Sequence, residues 1–329
     1  MKRIGYFLFL LFLSLSCYAQ TTGNNVQLRP DISKLAKEIA KENRWMSRAV
    51  GYAGTRPAQW DRFEKLREQA SPVELRALTG HENPVVRCYA FYALSLSLDT
   101  AVYTILLNHL TDTSKVSTLI GCLGSSQKVG DFFYSNAAVS GRQRYAVDSI
   151  LLFNDSINLY AKWELLNKIK PEQRYYHRIK ELALSADYPI AIEALAKYRD
   201  TADVEIIKKA FKKEGCEGYA ISAAIAFPAP EFYSYLTASF EEEWSRKSYS
   251  YPKWRALYQA LAQYPNEKTL SLFNKTLTTK DKFKYQTLSK FLLIAITKFP
   301  HELFEPLNAK VKLDDYEMAE VKEEINRTY

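Results

Sequence analysis

The stretch that most constrains this chain is residues 81–98, HENPVVRCYAFYALSLSL. Asn83 suits a helix N-cap, where its side-chain oxygen accepts from an orphan backbone N–H, and Pro84 suits the first helical position. Val86, Ala90, Ala93 and Leu94 then fall on one face of a 3.6-residue helix. Val85, Cys88, Phe91 and Tyr92 occupy the opposite face. A helix that is apolar nearly all round has no side to give to water. It predicts a middle layer, covered on both faces by other elements.

With 329 residues, the chain is long enough for two average domains or one elongated repeat array. A hydrophobic fraction of 47% allows a sizeable core, and only 11 glycines argue for few β-turns and much helix. Aromatic residues are abundant, with 23 Tyr and 17 Phe. Such rings suit seams between helices, where one edge packs and a hydroxyl reaches a polar partner.

Asn83-Pro84-Val85-Val86-Arg87, followed by Ala90 and Ala93-Leu94, resembles the second helix of a HEAT repeat. The preceding SPVELRAL, 71–78, resembles its first helix. The resemblance covers about thirty residues and is looser elsewhere. It implies an all-α fold, an α-solenoid of stacked helical hairpins (HEAT/armadillo-like) with capping helices at both ends, used mostly as a binding scaffold. It also gives Arg87 a structural role, bracing neighbouring repeats. Later copies depart from it, with Ile192 and Arg255 at the nearest equivalent places.

An internal echo supports repetition. Ala194-Leu195-Ala196-Lys197-Tyr198 returns as Ala260-Leu261-Ala262-Gln263-Tyr264 and as Ala295-Ile296-Thr297-Lys298-Phe299, with a degenerate copy ending at Phe227. The ring anchors Tyr198, Phe227, Tyr264 and Phe299 are 29, 37 and 35 residues apart, the length of one helical hairpin. Leu98-Asp99-Thr100-Ala101 likewise matches Arg199-Asp200-Thr201-Ala202. No Gly/Ser-rich or Pro-rich linker interrupts the chain, which reads as one continuous array.

Taken in order, residues 1–19 form an export signal, and 20–70 a polar lead with N-terminal capping helices. HEAT-like repeats occupy 71–310, and a C-terminal capping helix 311–329. In the lead, Asp31 opens a helix that Gly51 and Gly54 end, with Ile32, Leu35, Ile39, Trp45 and Met46 at helical spacing. A second helix covers 57–69. Asp112-Thr113-Ser114 starts another that ends near Gly121-Cys122-Leu123-Gly124, and 129–141 reads as a bend or irregular helix.

The N-terminus carries the sharpest signal. Lys2 and Arg3 precede an apolar run from Gly5 to Leu15, and Cys17-Tyr18-Ala19 places small residues at −3 and −1 before Gln20. Cleavage after Ala19 makes the protein periplasmic or secreted. The competing reading is an outer-membrane lipoprotein processed at Cys17; Ser14 and Leu15 stand there in the reverse of the preferred size order, which favours simple cleavage. Removing 1–19 takes the net charge from +8 to +6, a modest excess consistent with ordinary solubility. The three remaining cysteines, Cys88, Cys122 and Cys216, exclude a fully paired framework. Cys88 and Cys122 sit in apolar runs read as helix, and a bridge between them is an open alternative to two free thiols.

No metal spacing, phosphate loop or nucleophile elbow is present among the motifs, so neither a cofactor, a metal nor catalysis is expected. His81-Glu82 and His301-Glu302 resemble the iron-binding pairs of the HEAT-like deoxyhypusine hydroxylases, which need four such pairs. HEAT-like DNA glycosylases supply a second enzyme alternative, disfavoured by export and by the small charge excess; no nucleic acid is expected. The stretch from Trp244 to Arg255, WSRKSYSYPKWR, is the candidate contact surface. Trp244, Arg246, Lys247, Tyr249, Tyr251, Lys253 and Trp254 combine rings and cations in the manner of binding loops. Against this, Trp254 and Tyr258 are four apart, as core residues of a helix would be. Asn83, Pro84 and Arg87 are expected to be structural. The function expected is an exported scaffold for a protein or peptide partner in the cell envelope, touching membrane only if Cys17 carries lipid.

Overall fold

Asn43 takes a left-handed backbone, φ +50°, and redirects the first segment. In this computed structural model, which describes residues 26–185, 187–246 and 250–326, α1 (Pro30–Glu42) stops at that residue. Asparagine reaches this region at little cost, so it ends helices that other residues would continue. The helix expected to reach Gly54 is thereby corrected: its second half is a strand, β1 (Trp45–Val50).

Two helices follow, α2 (Ala58–Gln69) and α3 (Pro72–Leu78), the latter opened by a capping box between Ser71 and Glu74. The 81–98 stretch forms α4 (Pro84–Leu96), with Asn83 Oδ1 accepting the Val85 and Val86 N–H groups at 2.9 and 3.2 Å. Ten of its residues are buried, so it is the middle layer its pattern demands. Around it lie α1 to α3, β1, α5 (Val102–Asn108) and β2 (Lys115–Gly121), together with an element beyond the hairpin partner β3 (Leu123–Lys128), namely α6 (Val129–Asn136). Phe91 stacks on Phe133 of α6 at 3.9 Å between ring centroids. On the other side Tyr89 stacks against Phe63 of α2 at 5.2 Å and Trp45 of β1 at 5.8 Å. The Tyr89 hydroxyl accepts the Met46 N–H at 2.7 Å and donates to the Met46 carbonyl at 3.1 Å, pinning the strand to the helix.

The second correction concerns 112–124, expected as helix. There β2 and β3 pair antiparallel, with Val116 opposite Gln127, Thr118 opposite Ser125 and Ile120 opposite Leu123. That register leaves Gly121 and Cys122 as a two-residue loop. Gly121 has φ +55° and Cys122 does not share the positive sign, the pattern of a type II′ turn. β1 runs parallel to β2 on its other edge, giving the order β1-β2-β3. Cys122 is therefore exposed in a hairpin loop, not inside a helix, while Cys88 and Cys216 are buried; all three are free thiols.

The chain divides into two compact units, residues up to Val139 and residues from Ser140. No linker composition marks this boundary, which falls within the stretch read from sequence as one array.

The second unit is helical throughout its described residues. It opens with α7 (Gly141–Phe153), α8 (Tyr160–Lys168), α9 (Gln173–Leu184) and α10 (Ile190–Ala196). It continues with α11 (Val204–Phe211), α12 (Glu217–Ala226), α13 (Tyr233–Ser245) and α14 (Tyr251–Leu261). The last members are α15 (Glu267–Thr278), α16 (Lys282–Lys298), the single turn α17 (Glu305–Asn308) and α18 (Asp315–Asn326). Helices α8, α10, α12, α14, α16 and α18 pack on one another in series, and α9, α11, α13 and α15 each pack on the even-numbered helix that follows. This is a run of hairpins sharing one apolar core.

Side-chain hydrogen bonds repeat with the hairpins. The Tyr198 hydroxyl donates back to the Glu172 carbonyl, and the Tyr264 hydroxyl to the Ala229 carbonyl, both at 2.8 Å. Tyr176 donates to Asp200 at 3.0 Å and Tyr233 to Asn266 at 2.8 Å, and each acceptor caps the next element. The echo between 98–101 and 199–202 has the same basis. Leu98 and Arg199 are both left-handed, at φ +56° and +55°, and Asp99 and Asp200 each accept the N–H two residues on.

Candidate functional site

The candidate stretch runs from the end of one helix into the start of the next, and residues 247–249 lie outside the description. α13 ends at Ser245, and Arg246 leaves it in an extended conformation, ψ 149°. Pro252 sits in the first turn of α14, where its missing N–H costs nothing. The Ser250 N–H donates to Glu243 at 3.3 Å, tying the start of α14 to α13.

Trp254 is fully buried, and this overturns its place in a contact surface. Its indole meets Phe240 edge-on at 5.0 Å and Trp244 edge-on at 6.1 Å. The ring series continues through Tyr258, Phe273 and Phe304, so Trp254 is the start of an aromatic core. Lys253 is also drawn inward, with 11% of its side chain exposed. Its ammonium lies 2.7 Å from Glu217 and 3.5 Å from the buried Glu243. Burial pushes the Glu217 carboxyl up, but the Lys253 ammonium and the Ser239 hydroxyl outweigh it and hold the group below its ordinary value. Arg246 pairs with Glu242 and, at 3.4 Å, with Glu243; these carboxylates raise its own pKa, the Glu242 hydrogen bond contributing most. Lys253 and Glu243 are thus structural members of the turn.

What reaches solvent is a different set. Tyr251 is 46% exposed, and Trp244 is half-buried, stacked on Phe240 at 5.9 Å with planes 9° apart. Two cations from later helices sit by the Trp244 ring: Lys275 of α15 at 5.0 Å and Lys284 of α16 at 4.8 Å from its centroid. Lys284 also donates to the Trp244 carbonyl at 2.8 Å. The result is an indole platform flanked by ammonium groups, with Tyr251 and Arg246 at the turn. Of the seven residues expected here, Trp244, Arg246 and Tyr251 are placed at this surface, Lys253 and Trp254 beneath it, and Lys247 and Tyr249 lie outside the described residues.

Glu243 stands three residues before its partner Arg246, but Lys275, Lys284 and Glu217 had no local signal in the sequence. Their contacts span 36 residues for Lys253 to Glu217, 34 for Lys275 to Glu241 and 40 for Lys284 to Trp244, about one hairpin period each. The repeat length was the only clue.

The three residues expected to be structural stand at the start of α4. Asn83 caps α4 and also donates to Asn43 at 2.9 Å, and Pro84 occupies its first turn. Arg87 donates to the His81 and Glu82 carbonyls at 2.8 and 3.0 Å and pairs with Asp112 at 3.1 Å, tying α4 to the loop before β2. The His-Glu pairs are engaged locally: His81 accepts the Asn83 N–H at 3.0 Å, and His301 the Leu303 N–H at 3.2 Å.

Fold and surface together define a mostly helical protein whose second unit is a repeat of helical hairpins. Comparison with protein-family models, with curated proteins and with solved structures finds no match. Among the described residues, no helix is long and apolar enough to cross a membrane. The stretch expected to be an export signal, with Cys17 and Ala19, lies outside them.

Proposed function

We propose that this protein is an exported helical-repeat scaffold, HEAT-like in construction, that holds a protein or peptide partner at the Trp244 platform. The observation that carries this reading is the meeting of α13, α15 and α16 at one half-buried indole with two lysines beside it. Aromatic and cationic side chains supplied by successive hairpins form a surface wider than any single helix could offer. A fixed, half-buried ring is a good anchor because little rotamer freedom remains to be lost on binding. The partner segment best suited carries an apolar or aromatic side chain for Trp244 and a carboxylate for Lys275 and Lys284.

The test is site-specific photocrosslinking in the producing cell, with p-benzoylphenylalanine replacing Tyr251 and, as a control, Tyr316. The expected result is a discrete protein adduct at 251 that disappears in Trp244→Ala and in the double variant Lys275→Glu/Lys284→Glu. Equal adducts at both positions, or none at 251, overturn the reading. Mass measurement of the mature chain tests export: loss of residues 1–19 is expected, and an intact N-terminus contradicts it.

A further inference from the structure

The second unit also contains a pocket of about 570 Å³ between the α7–α8 loop, α8, α9 and the segment leading to α10. We propose that it is a binding site for a neutral sugar unit, separate from the Trp244 platform and independent of that reading.

The wall is preorganised. Trp163, half-buried, faces the pocket with Tyr188 6.0 Å away, and Tyr219 backs it at 6.2 Å. An indole held by two further rings offers a flat face with a negative π surface, to which the C–H face of a pyranose presents weakly positive hydrogens. The volume lies inside the roughly 300–1,000 Å³ range of small-molecule sites.

The polar side chains are equally fixed. Arg178 has only 11% of its side chain exposed. It donates to the Leu152 carbonyl at 3.0 Å and to Glu181 at 3.1 Å, and it pairs with Asp155. Those partners engage three of the five N–H groups that a guanidinium carries. Asp187 accepts the Ser185 hydroxyl on one oxygen at 3.0 Å, a fraction of what a carboxylate can accept. A hydroxyl group donates and accepts together, so a fork of N–H donors near a carboxylate suits a vicinal diol.

The charge balance argues against an anionic guest. Three carboxylates, Asp155, Glu181 and Asp187, line the pocket with one cation, Arg178, which pairs with the first two. Lys162 lies behind the wall, donating to the Asn154 carbonyl at 2.9 Å with its ammonium 5.1 Å from the Tyr188 ring centroid. An anion entering the pocket meets three carboxylates, of which Asp155 and Glu181 are engaged by Arg178 and Asp187 is left to accept hydrogen bonds. A neutral polyol meets no such penalty, and its hydroxyls match both the remaining Arg178 N–H groups and the Asp187 carboxylate.

The experiment titrates the full mature chain with maltotriose, cellotriose and chitotriose as neutral probes, N-acetylneuraminic acid as the anionic probe and spermidine as the cationic one. Binding is read by tryptophan fluorescence and saturation-transfer NMR. At least one neutral trisaccharide is expected to saturate with a Kd below about 1 mM, at least about tenfold tighter than either charged probe. Asp187→Ala, an exposed position, and Trp163→Ala should each weaken it by about tenfold or more, and Trp163→Phe should restore part of the loss. Far-UV circular dichroism checks that the variants are folded, with Asp187→Ala decisive if Trp163→Ala is not. The double variant Lys275→Glu/Lys284→Glu should bind the sugar normally, separating this site from the platform. The proposal is overturned by no saturable neutral binding up to about 10 mM, by preference for a charged probe, or by Asp187→Ala binding unchanged.

Discussion

The two units bury a very apolar helix in opposite ways. In the first, α4 is enclosed on every side, and a strand, β1, joins the helices that cover it. In the second, α10, α12, α14 and α16 cover one another in series, and each needs only its neighbours. Enclosure makes the first unit depend on pairings distant in sequence, such as Met46 with Tyr89 and Trp45 with Thr118. Serial packing makes the second depend on contacts one hairpin apart, which a repeating sequence supplies automatically. The difference explains why a repeat period is legible in the second unit, whereas the first shows only local signals such as those of 71–98.

The largest expected effect tests the serial core. Trp254→Ala removes the ring that joins α13 to α14 and should cost about 3–5 kcal/mol in urea unfolding of the whole protein. A loss below about 1 kcal/mol would mean that Trp254 is no part of a shared core, and the contrast between units would weaken.

Tyr89→Phe tests the enclosed core with almost no change in volume. It strips the Met46 N–H and carbonyl of their partner and should cost about 1–3 kcal/mol. Amide exchange across β1 should quicken more than across α10 to α16. Uniform quickening would break the comparison.

Gly121→Ala tests the β-hairpin of the first unit. Open space surrounds the added Cβ, so only the positive φ resists it, at about 1–2 kcal/mol. An unchanged melting temperature would show that the turn relaxes freely.

The smallest effect is acidic. Glu74 has its carboxyl held down at about 2 from an ordinary 4.5, chiefly by the Arg29 side chain and also by the Ser71 backbone N–H. A depressed pKa stabilises the fold above the unfolded value, and that stability fades as pH falls from about 4.5 towards 2. Because Arg29 is half exposed, the contribution is about 1 kcal/mol. Wild type should lose that much more than Glu74→Gln between pH 6 and pH 2.5, measured by urea midpoints; parallel curves would refute it.

Much of the second unit was legible because its signals are local. The Ala-Leu-Ala-x-Tyr copies end helices where they were expected to, and Asp99 and Asp200 make the same turn their matching neighbours suggested. The first unit was misread where strands replaced helix. Asp112-Thr113-Ser114 looks like a helix start, and Val116-Ser117-Thr118-Leu119-Ile120 is short and apolar enough for either state. Two features pointed the other way: the β-branched alternation at Val116 and Thr118, and the glycine heading a two-residue loop. What decides the matter is β1, some seventy residues earlier, and no local pattern carries that pairing. The site was half legible for a related reason. Its rings stood out in the chain, but which ones face water depends on Lys275 and Lys284, a hairpin away.

The four ring anchors of the echo alternate between Tyr198 and Tyr264, which carry a phenolic oxygen, and Phe227 and Phe299, which do not. Joints fastened to the preceding turn thus alternate with joints lacking that fastener, as in a folding rule with every second hinge tightened. Under tension the slack hinges at Phe227 and Phe299 should yield first, so Phe227→Tyr should raise the unfolding force in a pulling experiment. An unchanged force would show that compliance is spread evenly along the unit.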